Sequence, residues 1–254
     1  MLTFAPTRVV ALGASNLTRG FHAVVATARQ LRGSDVEVLA ALGHGRSYGM
    51  HSSILGRRLP GILDCGLWDE LKRRPPAATR ALVTDVGNDI LYGASVAQIL
   101  AWVEEAVGRL QGLTPDIVIT DLPLASMRGL SRARYLLFRS VLVPACRLPL
   151  SAVLDSAEAV VEGLAALAQR ASVRFFRLEP EWYGFDPIHI RPRLWMRAWQ
   201  KILGGEPEAA YHRSRLEALE LYLLPPERRW LWGRAQFHPQ AGHELRGGGR
   251  VWLY

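Results

Sequence analysis

Arg8-Val9-Val10-Ala11-Leu12-Gly13-Ala14-Ser15 is the stretch whose reading decides the fold. Its β-branched, apolar run predicts a buried strand, Gly13 ends it, and Ser15 follows where a helix opens. Leu17 to Leu31 then carries helical spacing through Phe21, Val24, Val25 and Ala28. The same unit recurs down the chain. Val36 to Leu42, Ala81 to Val86, Asp116 to Leu122 and Val173 to Leu178 are further short apolar runs. Val96 to Leu110, Ser131 to Ala145, Asp155 to Ala171 and Arg193 to Leu203 have helical periodicity. Strand–helix alternation of this kind predicts an α/β fold. The expected form is a three-layer, flavodoxin-like sandwich, a mainly parallel five-stranded sheet with helices on both faces.

With 254 residues, the chain is long enough for one such domain with a full core. Residues 1–203 read as that domain, and 204–254 as a basic, Trp-rich extension packed on it. No run of about 18 apolar residues occurs, so no membrane-spanning helix is written in the sequence. Met1 to Thr7 lacks a basic region followed by an apolar stretch, so no secretory signal is read and a cytoplasmic protein is expected. Cys65 and Cys146 form no close-spaced motif and read as buried thiols. The net charge of +8 comes almost wholly from arginine, since Lys72 and Lys201 are the only lysines. No nucleic-acid recognition motif accompanies that charge, and no nucleic-acid partner is expected.

Ligands of open parallel sheets sit outside the carboxyl ends of the strands. Ser15 follows the first strand, Gly45 the second, Asn88 the third, and Asp186 and His189 the fifth. A serine hydroxyl needs a base to become a nucleophile, and His189 is the best candidate. Asp186, three residues earlier, has the spacing to hold the ring in one tautomer within a tight turn, stiffened by Pro187. Backbone N–H groups of Ser15 and Gly45 and the Asn88 amide are suited to an oxyanion. Singly, each has an ordinary structural reading: Gly45 as a turn glycine, Asn88 as a turn or cap residue. Their convergence on one rim points to an active site.

Four blocks resemble, in order, those of the SGNH, or GDSL-type, hydrolase superfamily. Gly13-Ala14-Ser15-Asn16-Leu17 is similar to the block that carries the nucleophile, with Ala14 where the family has Asp. Gly43-His44-Gly45-Arg46-Ser47 resembles the second block, and Gly45 is preferred over Gly43 as its oxyanion donor. Gly87-Asn88-Asp89 resembles the third, with Asp85 where a leading glycine is usual. Asp186-Pro187-Ile188-His189 matches the last, Asp-x-x-His. The resemblance implies a serine esterase acting on a small-molecule ester without cofactor or metal. Ser15, Asp186 and His189 would form the catalytic triad, and Ser15, Gly45 and Asn88 the oxyanion hole. The same triad would serve acyl transfer to an alcohol or sugar, and an inactive relative with a binding role is a third reading.

Six of the eight tryptophans fall between Trp182 and Trp252. Trp195 and Trp199, one helical turn apart, are expected to face the sheet or the pocket. Arg228, Arg229, Trp230 and Trp232 form a basic–aromatic patch with three open readings: a membrane surface, a cover over the site, or a dimer contact. Arg191, Arg193 and Arg197 read chiefly as solvated helix charges.

Overall fold

The computed structural model describes residues 7–205 and 215–254. The Met1 to Thr7 reading therefore falls, but for Thr7, outside the described residues. Among the described residues there are eleven strands, with helices between most of them up to β8. In chain order the strands are β1 (Thr7–Leu12), β2 (Val36–Ala41), β3 (Ser52–Ile54), β4 (Arg57–Leu59), β5 (Ala78–Val83), β6 (Ile117–Thr120) and β7 (Arg174–Phe176). They continue with β8 (Arg228–Leu231), β9 (Arg234–Phe237), β10 (His243–Glu244) and β11 (Arg250–Leu253). The helices are α1 (Ser15–Arg19), α2 (Phe21–Arg32), α3 (Leu67–Arg73), α4 (Asn88–Leu91), α5 (Val96–Gln111), α6 (Leu124–Arg128), α7 (Arg132–Leu142), α8 (Leu150–Arg170), α9 (Trp195–Leu203) and α10 (Arg215–Leu223).

The main sheet runs β10-β11-β2-β1-β5-β6-β7. All neighbours are parallel except β10 and β11. The five strands from β2 to the β7 edge are those read from the sequence, in the flavodoxin-like order second, first, third, fourth, fifth. The five-strand expectation is thus corrected to seven. Val251, Trp252 and Leu253 of the extension pair with Val38, Leu39 and Ala40 of β2, and His243–Glu244 adds the edge.

Alternation along β1 explains the three layers, because successive side chains point to opposite faces. Val10 and Leu12 enter the core under α5 and α8, while Val9 and Ala11 enter the core under α2 and α9. Each buried Val or Leu contributes about 1.5–3 kcal/mol, so both faces are strongly specified. On α5 the capping box of Ser95 and Gln98 satisfies N–H groups at the helix start, while Ile99, Val103, Ala106, Val107 and Leu110 form the buried stripe. Trp199 is fully buried and Trp195 partly so, both on the α2 face. Cys65 and Cys146 are buried free thiols.

The helix expected over Leu17 to Leu31 is broken in two at Gly20. There the Trp199 indole presses so close that an added Cβ would lie 2.2 Å from it. The helix expected from Arg193 likewise starts later, at Trp195, after a 3₁₀ turn over Pro192–Leu194. A second, antiparallel sheet, β3-β4-β8-β9, joins the hairpin after β2 to the extension.

Candidate active site

Three loops at the carboxyl ends of β1, β5 and β7 are tied together by one side chain. Asn16 donates through Nδ2 to the Ile188 carbonyl and to Asp85 Oδ1, both at 2.9 Å, and its Oδ1 accepts from the Ile190 N–H at 2.8 Å. This buried amide has its hydrogen-bonding groups satisfied, which fixes the Asp186–His189 loop beside Ser15.

His189 Nε2 lies 2.9 Å from Ser15 Oγ, and Nδ1 lies 2.6 Å from Asp186 Oδ2. With Nδ1–H donating to the carboxylate, Nε2 is left to accept from the serine hydroxyl. The Asp-x-x-His spacing works through a tight turn: Asp186 Oδ1 also accepts from the N–H groups of Ile188 (3.2 Å) and His189 (3.3 Å). Burial by itself would raise the Asp186 carboxyl. The hydrogen bond and charge of His189, the Ile188 N–H and Arg19 (3.7 Å) outweigh it and hold the group below the usual carboxylate range. His189 is buried and Ser15 half-buried at the first position of α1. At that position a backbone N–H has no partner within the helix.

The second block folds around Asp89. Its carboxylate accepts from the Ser47 hydroxyl and from the Tyr48 N–H at 3.1 Å, and Ser47 Oγ in turn accepts from the Met50 N–H. Burial pushes Asp89 up to about 6. Gly45 occupies the left-handed region at φ 63°, and its carbonyl accepts from the Tyr92 hydroxyl at 2.5 Å. Asn88 opens α4; its Nδ2 stands 3.5 Å from the carbonyls of Arg46 and Asp85, contacts too long to engage it strongly. His44 is pushed down to about 4 by burial and then by the nearby charges of Arg57, Arg19 and His189.

Asp85 carries the work that the sequence left unassigned. Its Oδ2 accepts from the N–H groups of Ala14 (2.9 Å) and Leu17 (3.0 Å), and its Oδ1 from Asn16. Ala14 itself brings no carboxylate to the nucleophile loop. Instead the carboxylate reaches the same turn from the other side. Asp85 sits at φ 59°, a left-handed position that Asp tolerates better than most residues. Asn16 was signalled only by its place beside Ser15, as a polar residue opening a buried helix. Asp121, half-buried and pushed up to about 6 by burial, accepts from the Leu178 N–H and also lines the cleft.

That cleft begins at Ser15 and Asn88 and continues along a largely apolar wall. Leu91, Leu122, Met127, Leu130, Phe138 and Val153 supply much of it. Arg191, Arg193 and Arg197 do not line it.

The fold is an α/β architecture that solved structures share. A member of the lipolytic protein G-D-S-L family from Veillonella parvula matches with a TM-score of 0.50 and 13% identity, covering 77% of this chain and 94% of that one. The psychrotrophic esterase EstA from Pseudoalteromonas sp. matches with a TM-score of 0.48 and 11% identity, covering 78% and 96%. No family model matches the sequence, and no curated protein does.

Proposed function

We propose that this chain hydrolyses carboxylic esters through an acyl-serine intermediate. The reading is carried by the chain of contacts from Ser15 Oγ through His189 to Asp186, at 2.9 and 2.6 Å. Ser15 attacks the ester carbonyl while His189 Nε2 takes its proton, and Asp186 stabilises the resulting imidazolium. The ester C–O bond then breaks as His189 gives that proton to the departing alcohol. Water repeats the sequence on the acyl group and frees Ser15. Ser15 N–H, Gly45 N–H and Asn88 Nδ2 hold the oxyanion in both halves. The fold shared with a lipolytic G-D-S-L protein agrees with this chemistry.

The apolar wall beside Ser15 suits an aliphatic acyl group. Each methylene buried there is worth about 0.8 kcal/mol, close to fourfold in kcat/KM. The kcat/KM for p-nitrophenyl esters is therefore expected to rise from acetate through butyrate to hexanoate. Steady-state rates on that series check it. Failure of the folded protein to turn over any of the three would sink the proposal.

A further inference from the structure

Two hairpin turns of the second sheet place large apolar side chains where the backbone disfavours them. The β3–β4 turn is Leu55-Gly56, at φ 49° and 75°, and the β8–β9 turn is Trp232-Gly233, at φ 51° and 80°. A two-residue hairpin turn with both residues left-handed ordinarily takes Asn, Asp or Gly first. Leu and Trp gain little burial in return, since Leu55 is 76% and Trp232 83% exposed. The turns are also neighbours. Trp232 N–H donates to the Gly56 carbonyl at 2.8 Å, and the Trp232 ring lies over Gly56.

Five arginines lie on the strands of these two hairpins; Arg58 on β4, Arg228 on β8 and Arg234 on β9 are exposed, while Arg57 and Arg229 are partly buried. Neither 51–59 nor 228–237 contains an acidic residue. Among the described residues no carboxylate forms an ion pair with any of the five. Strained, protruding apolar tips amid unneutralised cations match a phospholipid boundary, where an aromatic or aliphatic side chain enters the acyl region and arginine meets phosphate. A groove of stacked aromatics, as single-stranded nucleic acid needs, is a different shape.

We propose that the paired turns dock this protein on an anionic phospholipid surface, with Leu55 and Trp232 inserting and the exposed Arg58, Arg228 and Arg234 meeting headgroup phosphates. The β3–β4 hairpin continues directly from the loop that carries Gly45, and Ile54 packs so closely on Gly45 that a Cβ there would lie 2.0 Å from it. Docking thus holds the Gly45 loop beside the bilayer. The surface is independent of Ser15 chemistry, so either proposal can fail alone.

The test is co-sedimentation of the full chain with vesicles of phosphatidylcholine alone and of equal parts phosphatidylcholine and phosphatidylglycerol. Binding is expected only to the mixed vesicles, weakening as salt is raised. Asn suits both left-handed positions, so Leu55→Asn/Trp232→Asn should fold with an unchanged or higher Tm and hydrolyse a short soluble ester as the parent does. Its vesicle partition should fall at least tenfold. Arg58→Gln/Arg228→Gln should lower partition by about fivefold per arginine. No binding to mixed vesicles, or full binding by the folded double-Asn variant, would overturn the proposal. So would equal affinity of parent and double-Asn variant for single-stranded DNA exceeding that for vesicles.

Discussion

His189→Gln is expected to lower kcat/KM for p-nitrophenyl butyrate by about 10⁴, with a Tm within a few degrees of the parent. Glutamine nearly fills the space and can still donate to Asp186, so the loop held by Asn16 should persist. What it cannot do is take the Ser15 proton and return it to the leaving alcohol. The bulk of the loss should appear in kcat, because the apolar wall that binds the acyl group is untouched. The residual rate, still well above water, reports the oxyanion donors. Asp186, held below the usual carboxylate range, keeps the negative charge that stabilises the imidazolium formed in the parent. Steady-state kinetics, with melting curves alongside, check the assignment. An activity loss under tenfold in a folded variant contradicts His189 as the base.

Asp85→Asn is expected to cost about 10² in kcat and about 2–4 kcal/mol of stability, through hydrogen bonds to a charged acceptor. Three donors converge on this carboxylate: the N–H groups of Ala14 and Leu17 and the Asn16 amide. An asparagine presents only one acceptor oxygen and points an NH₂ group at one of the donors, so the turn bearing Ser15 should shift. Asp85 acts on the reaction only by positioning that turn, so KM should change little while kcat falls. The converse variant separates this from a general loss of packing. In Asp85→Gly/Ala14→Asp the left-handed position goes to a residue that prefers it, and the carboxylate returns to the nucleophile loop. Recovery of at least tenfold over Asp85→Gly alone is expected from kinetics on purified proteins. No recovery would mean that Asp85 acts from its own position only.

β1, β2, β5 and β6 were legible because their largely apolar runs are buried on both faces and end at Gly or Pro, and β7 because Phe175 and Phe176 stand out beside Arg174. The second sheet was not. Ser52–Ile54 and Arg57–Leu59 are three residues each, too short for a period of two to register, and β8 and β9 are arginine-rich. Val251-Trp252-Leu253 is apolar, but nothing local says that it returns to pair beside β2 rather than cap the chain. The break at Gly20 needed tertiary knowledge, because the cause is Trp199, far away in sequence. At the candidate site, Ser15 and His189 were proposed from their places after strands together with the family resemblance, and Asp186 from its spacing to His189. Asp85 and Asn16 were not, since their partners are backbone groups on other loops, and backbone groups leave no mark in residue identity.

Fluorophosphonate labelling followed by peptide mass mapping tests the nucleophile most directly, because only an activated oxygen displaces fluoride from phosphorus at a useful rate. The expected result is one adduct per chain, on the peptide containing Ser15, formed far more slowly in His189→Gln. An adduct on a different residue, or no adduct from folded protein that still hydrolyses esters, would contradict it.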